Sequence, residues 1–116
     1  MRALLTGFFL LVLAAMLGVT AAATLERGVL DALAELWPDA WFRATLADAY
    51  FGFLTVWLWV AYRERSWLAR LIWLAAFLVL GNLAVAVYAL RALLSLPAGA
   101  PAWQALLRPG HRPASP

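Results

Sequence analysis

The chain has 116 residues, of which 66% are hydrophobic and 13% are charged. Soluble domains are nearer to about half apolar and about a quarter charged. A chain this short cannot bury so much apolar surface in water, so the composition indicates a lipid environment. The formal charge of +3 comes from arginine alone, and the arginines are scattered along the chain, which excludes nucleic acid as an expected partner.

The chemistry available to the chain is narrow. There is no cysteine, and the one histidine, His111, lies in a Pro-rich tail. These two facts remove thiol catalysis, disulfides and the usual histidine ligation of zinc or haem. Phosphate-binding loops and Ser–His–Asp sets are also missing from the sequence. We therefore predict no metal site, no cofactor and no catalytic residue, and the sequence favours a protein that is not an enzyme.

Three long apolar runs predict three membrane-spanning helices, at about residues 3–25, 41–62 and 67–94. Each run reaches the length of about 20 residues that a spanning helix needs. The expected fold is therefore an all-α, three-helix integral membrane bundle over residues 1–96. The Pro- and Gly-rich tail, residues 97–116, should have little fixed structure except a brief apolar docking around "WQALL". For the first run, a cleaved signal peptide ending near "TAAA" is the alternative.

The first loop, "TLERGVLDALAELWPDAWFR", has apolar residues at helical spacing and acidic residues mostly on the opposite side. This pattern predicts a short amphipathic helix in the membrane interface, with a helix in the aqueous loop as the alternative. Pro38 should end this segment, and Asp39 should cap the helix that follows.

Arginine placement predicts the orientation in a bacterial inner membrane. The short turn "YRERS" and Arg2 are basic, whereas the first loop is mainly acidic. The positive-inside rule therefore places the N-terminus and the turn in the cytoplasm. A three-pass chain then has a periplasmic C-terminus, although Arg91, Arg108 and Arg112 favour the opposite side.

Asp48 is a carboxyl group inside the second apolar run. If the second and third runs form a straight hairpin, residues whose numbers sum to about 130 lie at equal depth. This register pairs Asp48 with Asn82, and it pairs Asp39 with Arg91 near the interface. A charge in the bilayer costs about 2.5–3.5 kcal/mol, more than one interhelical hydrogen bond returns. Asp48 must therefore be protonated, have a cation nearby, or be reached by water.

Helical spacing places further polar residues around Asp48. Thr45 and Thr55 lie on the same stripe of the second helix, and Arg43 is the nearest basic residue. Small residues at 7, 14, 18 and 22 form a similar stripe on the first helix, where we expect close helix packing. Two interpretations of the set stay open: a polar clamp that fixes helix register, or a small cavity for a proton or a ligand.

The segment "DAWFRATLADAYFGFLTVWLWVAYRERSWLARLIW", followed by "LGNLAVAVYAL", resembles a family of small multi-pass membrane proteins catalogued as a domain of unknown function. The shared pattern is D-x-W, ATL-x-D-x-Y-F-G-F, a later Trp, R-E and G-N. The resemblance reaches from the first helix to about Leu94 and implies no activity. It implies a family pattern that includes Asp39, Trp41, Asp48, Tyr50, Gly52, Glu64 and Asn82.

The sequence thus predicts a small integral membrane protein whose partners are the lipid bilayer and other membrane subunits or further copies of itself. A non-enzymatic accessory or assembly subunit is the leading hypothesis. The alternative is a small oligomeric unit that binds or transports a proton or an apolar ligand at the Asp48–Asn82 site.

Overall fold

A computed structural model describes residues 1–109, and these contain five α-helices, one 3₁₀-helix and no strand. The helices are α1 (Arg2–Glu26), α2 (Val29–Leu36), α3 (Ala40–Arg63), α4 (Trp67–Leu80) and α5 (Asn82–Leu94), and the 3₁₀-helix is Ala102–Leu106. The predicted all-α class is confirmed. His111 and Arg112 lie outside the described residues.

Two of the helices, α1 and α3, are long and apolar enough to cross a membrane. With 25 and 24 residues, they measure about 37 and 36 Å at 1.5 Å per residue. The apolar core of a bilayer is about 30 Å thick. Their observed bounds lie within one residue of the predicted ones, because long apolar runs flanked by charges mark helix ends clearly.

The start of α3 is fixed by Asp39, as predicted. The Asp39 Oδ1 atom accepts hydrogen bonds from the backbone amides of Trp41 at 2.8 Å and Phe42 at 3.1 Å. These amides belong to the first turn, which has no acceptor within the helix itself. In the loop before it, α2 confirms the predicted short helix, and an Arg27–Glu35 ion pair ties that helix to the end of α1.

The prediction of a single helix over residues 67–94 is wrong. Gly81 has φ +59° and ψ −128°, so the chain leaves the helical conformation there and α5 starts in a new direction. Glycine adopts this backbone conformation readily because it has no Cβ. Hydropathy and helical periodicity continue unbroken through this point, which is why the sequence pattern did not reveal the break.

The three helices α3, α4 and α5 run antiparallel in succession. Tyr50 of α3 donates a hydrogen bond from its hydroxyl to the carbonyl of Leu78 at 3.0 Å, near the end of α4. On the other side of α4, the rings of Trp73 and Tyr88 lie 4.8 Å apart. The α5 helix therefore returns along α4 instead of continuing away from it, and α4 and α5 form a helical hairpin with its tip at Gly81.

The α1 helix lies antiparallel to α5. At its start, the Arg2 guanidinium donates to the carbonyl of Pro97 at 3.1 Å, just beyond the end of α5. Leu5 and Phe9 pack against the buried cluster that contains Leu93 and Leu96. The start of α1, the α3–α4 turn and the start of the tail therefore share one end of the molecule. A straight third helix would carry the chain to the end opposite the start of α1. The hairpin instead returns the chain, as far as Pro109, to the end at which α1 starts.

The first part of the tail docks onto this shared end, and we call residues 101–109 the strap. Ala102 and Ala105 of its 3₁₀-helix are buried. Trp59 donates from its indole nitrogen to the carbonyl of Leu106 at 3.0 Å, and Arg63 donates from Nε to the carbonyl of Leu107 at 3.3 Å. The expected apolar docking around "WQALL" is confirmed.

Candidate functional site

An apolar cavity of about 570 Å³ lies between α1, α3 and α5. The strap lines one end of it through Ala102, Trp103, Ala105 and Leu106. The remaining wall consists almost entirely of apolar side chains: Met1, Leu5, Phe9, Val56, Trp59, Val85, Ala89, Ala92 and Leu93. A volume of this size matches small-molecule sites in proteins, which are typically about 300–1,000 Å³.

A second cavity, of about 360 Å³, contains the polar residues that the sequence singled out. Asp48 and Asn82 both line it, together with Ala49, Gly52, Phe53, Val56 and Val85. Val56 and Val85 belong to the walls of both cavities. The two cavities are therefore neighbours along the α3–α5 interface. We call the pair the groove, with an apolar end under the strap and a polar end at Asp48 and Asn82.

The hairpin tip explains why Asp48 and Asn82 share a wall. Asn82 is the first residue of α5, directly after Gly81, and the tip lies against Phe53 of α3. Asp48 precedes Phe53 on the same helix and so lies close to the tip. Both side chains are exposed, and no hydrogen bond joins them within residues 1–109. The polar clamp requires a hydrogen bond between Asp48 and Asn82, and residues 1–109 do not contain it. The Asp48 carboxyl and the Asn82 carboxamide instead face open space.

The other predicted members of the site do not join the polar end. The Thr55 hydroxyl donates to the carbonyl of Phe51 at 2.9 Å, within its own helix. Thr45 and Arg43 are exposed, and neither lines the polar cavity.

The structure does not bring Asp39 and Arg91 together. Asp39 caps the start of α3, whereas Arg91 forms an ion pair with Glu64 at 3.3 Å, just after the end of α3. The register that paired them assumed a straight helix up to residue 94. Since the chain reverses at Gly81, positions after it return towards the turn, and Arg91 meets Glu64 instead.

Sequence reasoning missed a polar network between the groove and the α3–α4 turn. Arg63 is buried and donates to the Tyr88 hydroxyl at 3.1 Å, and that hydroxyl donates to Glu64 Oε1 at 2.9 Å. The Arg63 guanidinium also lies 5.5 Å from the Trp59 ring centre and 5.4 Å from that of Tyr88. The one available signal was Glu64 in the family pattern; nothing in the sequence linked it to Tyr88, 24 positions away.

This geometry offers few groups for reaction chemistry. The polar end has one carboxyl and one carboxamide, so it provides hydrogen-bond acceptors and donors but no nucleophile paired with a base. Residues 1–109 contain no group of three or more His, Cys, Asp or Glu side chains placed to hold a metal ion.

Comparison with models of protein families identifies the family of this chain. Residues 3–112 match the model of the family described as "Protein of unknown function (DUF1475)". The chain belongs to this family. The match covers nearly the whole sequence and confirms the resemblance to a family of unknown function. No curated protein and no solved structure gives a significant match. Membership of the DUF1475 family therefore brings no activity with it.

Proposed function

We propose that this DUF1475 protein is an integral protein of a bacterial inner membrane that binds a lipid-soluble ligand in the groove. Two helices of spanning length and an apolar composition support the membrane assignment. In this proposal α1 and α3 cross the bilayer. The α4–α5 hairpin enters from one side and turns at Gly81, since helices of 14 and 13 residues are too short to span.

The single observation that carries the binding function is that Val56 and Val85 belong to the walls of both cavities. An apolar chamber therefore lies next to a place with one carboxyl and one carboxamide. Sites for small molecules typically have mostly apolar walls and a few polar groups that fix orientation. The matching ligand has a long apolar body and one hydrogen-bond donor, such as an alcohol or an amine, which reaches Asp48 and Asn82.

The test uses tryptophan fluorescence, because Trp59 and Trp103 line the apolar end. The probe is a long-chain alcohol that carries a fluorescence-quenching bromine at its far end. The matched probe is the bromoalkane of the same length, which lacks the hydroxyl. Both are titrated into the purified protein in nanodiscs, and we expect the alcohol to quench at a lower concentration than the bromoalkane does.

Two pairs of comparisons locate the binding. Val85→Phe enlarges a side chain that lines both cavities, and it should weaken binding of the alcohol at least about fivefold, because overpacking costs about 1–3 kcal/mol. Val79→Phe makes the same change at an exposed position of α4 and should leave binding unchanged. Asp48→Ala should weaken binding of the alcohol and leave the bromoalkane unaffected. Equal quenching by both probes, or equal binding by both valine variants, contradicts the proposal.

An accessory or assembly subunit is the second candidate, and the outer face of α1 favours it. α1 has no buried residue, and a Cβ on Gly7 or Gly18 would meet nothing within 4 Å. The predicted small-residue stripe is thus not the face that packs on α5; Leu5 and Phe9 provide that contact. A stripe of small residues allows close approach of another membrane helix.

Subunit association is measured by native mass spectrometry and by chemical crosslinking in the membrane. Gly18→Leu should reduce any association with a second copy or with another subunit. Ala23→Leu, at an exposed position of α1 about 140° around the helix from Gly18, should not. If both variants associate as the wild type does, or if the wild type is monomeric and uncrosslinked, the accessory function is wrong.

A further inference from the structure

The end of the molecule that contains the α3–α4 turn is strongly basic. Among residues 1–109, six arginines and one glutamate lie there: Arg2, Arg63, Arg65, Arg70, Arg91, Arg108 and Glu64. We call this the arginine end. The opposite end, formed by α2 and the adjoining ends of α1 and α3, has Arg27 and Arg43 against four acidic residues.

Most of this positive charge is not neutralised by carboxylates. Arg65 donates to the carbonyl of Pro109 at 2.9 Å, Arg70 to that of Glu64 at 3.0 Å, and Arg108 to that of Tyr62 at 2.6 Å. A backbone carbonyl satisfies a donor without cancelling the charge. Within the described residues only Arg91 has an ion pair at this end, with Glu64. A guanidinium has five N–H donors, so each arginine keeps donors for a further acceptor.

Two of these contacts also have a structural role. Arg70 and Arg108 donate to carbonyls at the end of α3, where a helix leaves carbonyls without partners and where its dipole favours cations. Helix capping explains the position of these two side chains. It does not explain the excess of positive charge, because the partial charge of a helix end is only about half an elementary charge.

Exposed aromatic side chains lie at the same level as the arginines. The Arg70 guanidinium is 4.7 Å from the Trp67 ring centre, and the Arg108 guanidinium is 5.3 Å from that of Tyr62. Trp67 is 69% exposed and Tyr62 is 44% exposed. Tryptophan and tyrosine are enriched where a bilayer meets water, at the depth of the headgroups. Aromatic rings beside uncompensated guanidiniums therefore fit a lipid headgroup better than a soluble anion.

We propose that the arginine end binds anionic phospholipid headgroups, with a phosphate held between Arg65 and Arg108 beside Tyr62. These two arginines cross between the end of α3 and the strap, since Arg65 bonds to Pro109 and Arg108 bonds to Tyr62. Anionic lipids attract arginines near a membrane surface by about 1 kcal/mol each. This site is separate from the groove, and its ligand is an anion, not a hydrogen-bond donor with an apolar body.

The experiment measures lipid selectivity on the full chain. The protein is released from nanodiscs of phosphatidylcholine with a minor fraction of phosphatidylglycerol, and native mass spectrometry counts the lipids that it retains. The wild type should retain phosphatidylglycerol well above its share in the disc. The double variant Arg65→Gln with Arg108→Gln should reduce that preference about tenfold. Each lost arginine lowers the affinity for an anionic lipid about fivefold, and salt screens part of the combined effect.

The matched control removes the same charge from the opposite end, by Arg27→Gln with Arg43→Gln, and should keep the preference. A second measurement is the shift in the thermal unfolding midpoint of each variant between lipid mixtures. Because this shift is taken within one variant, it remains informative even if that variant is less stable than the wild type. The proposal is overturned if the wild type prefers phosphatidylglycerol and both double variants keep that preference. Stabilisation by inorganic phosphate in pure phosphatidylcholine, equal to that by phosphatidylglycerol, also overturns it in favour of a free phosphate site.

Discussion

Gly81 lies against the ring of Phe53, so closely that a Cβ on residue 81 would be 2.9 Å from the Phe53 Cζ atom. This contact holds the hairpin tip near the middle of α3. It also fixes the position of Asn82 along α3, and therefore the position of the polar end of the groove. The positive φ and the close approach both demand glycine at this position.

Gly81→Ala should therefore lower the free energy of unfolding by at least about 2 kcal/mol. A residue other than glycine at such a backbone conformation costs about 1–3 kcal/mol, and the clash with Phe53 adds to that cost. Gly18→Ala is the control, because open space surrounds that position and its backbone is helical. It should change stability by less than about 1 kcal/mol. Chemical unfolding in detergent measures the stability of both variants. If the two substitutions lower stability equally, the hairpin tip does not require glycine at position 81.

The Tyr88 hydroxyl connects Arg63 and Glu64 in a buried position. Tyr88→Phe should lower the free energy of unfolding by about 1.5–3 kcal/mol, as expected when hydrogen bonds to charged groups are lost. Tyr62→Phe is the control, since the carbonyl and the ring of Tyr62, not its hydroxyl, contact Arg108. It should stay within about 0.5 kcal/mol of the wild type. A stable Tyr88→Phe variant would mean that the network contributes nothing to the fold.

The strap depends on the indole of Trp59, which donates to Leu106. Trp59→Phe removes one hydrogen bond worth about 1 kcal/mol, so the strap should open about five times more often. Hydrogen exchange at the amides of Gln104 and Leu107, both bonded within the strap, measures that opening. Trp41→Phe, at an exposed position at the far end of α3, serves as the control. Unchanged exchange in both variants would contradict a role for Trp59 in holding the strap against α3.

Asp39 caps α3 through two backbone amides. Asp39→Ala should cost about 1 kcal/mol of stability. Asp31→Ala provides the comparison, because Asp31 lies in the first turn of α2 and makes no capping bond there. Its effect should be smaller than about 0.5 kcal/mol, and thermal unfolding compares the two. A larger effect of Asp31→Ala would show that the cap is not the reason for the loss.

Physical signals along the chain predicted part of this structure well. Apolar runs bounded by charged or turn residues give α1 and α3, and an aspartate at the right position gives the cap at Asp39. The break at Gly81 was missed because it depends on one backbone angle, which leaves no trace in hydropathy. The dipeptide Gly81–Asn82 was the available sign, since glycine is frequent where helices end.

The candidate site was also predicted only in part. The register that paired Asp48 with Asn82 assumed a straight helix, yet the two do share a cavity, because both lie close to the point where the chain reverses. The same register failed for Asp39 and Arg91, because the reversal separates them by the length of α3. The apolar end of the groove was not predictable, since α1, α5 and the strap meet there only after the hairpin has turned the tail back.

The reversal at Gly81 also changes the argument about orientation. In a three-pass chain Arg91 and Arg108 would oppose the arginines of the turn. In the observed fold all of them lie at the arginine end, as Arg91 pairs with Glu64 and Arg108 bonds to Tyr62. In the proposed membrane arrangement, we therefore expect the arginine end to lie in the cytoplasm, in accordance with the positive-inside rule.

The side of the membrane on which residue 98 lies is the most direct test of the hairpin at Gly81. The chain has no cysteine, so Ala34→Cys, Ser66→Cys and Ala98→Cys are each labelled alone with a membrane-impermeant maleimide. Labelling is compared between intact cells and inverted vesicles of the expression host. The hairpin predicts that residue 98 is labelled from the same side as residue 66 and from the side opposite to residue 34. Labelling of residue 98 together with residue 34 would show a third crossing and would contradict the hairpin on which the groove and the arginine end both depend.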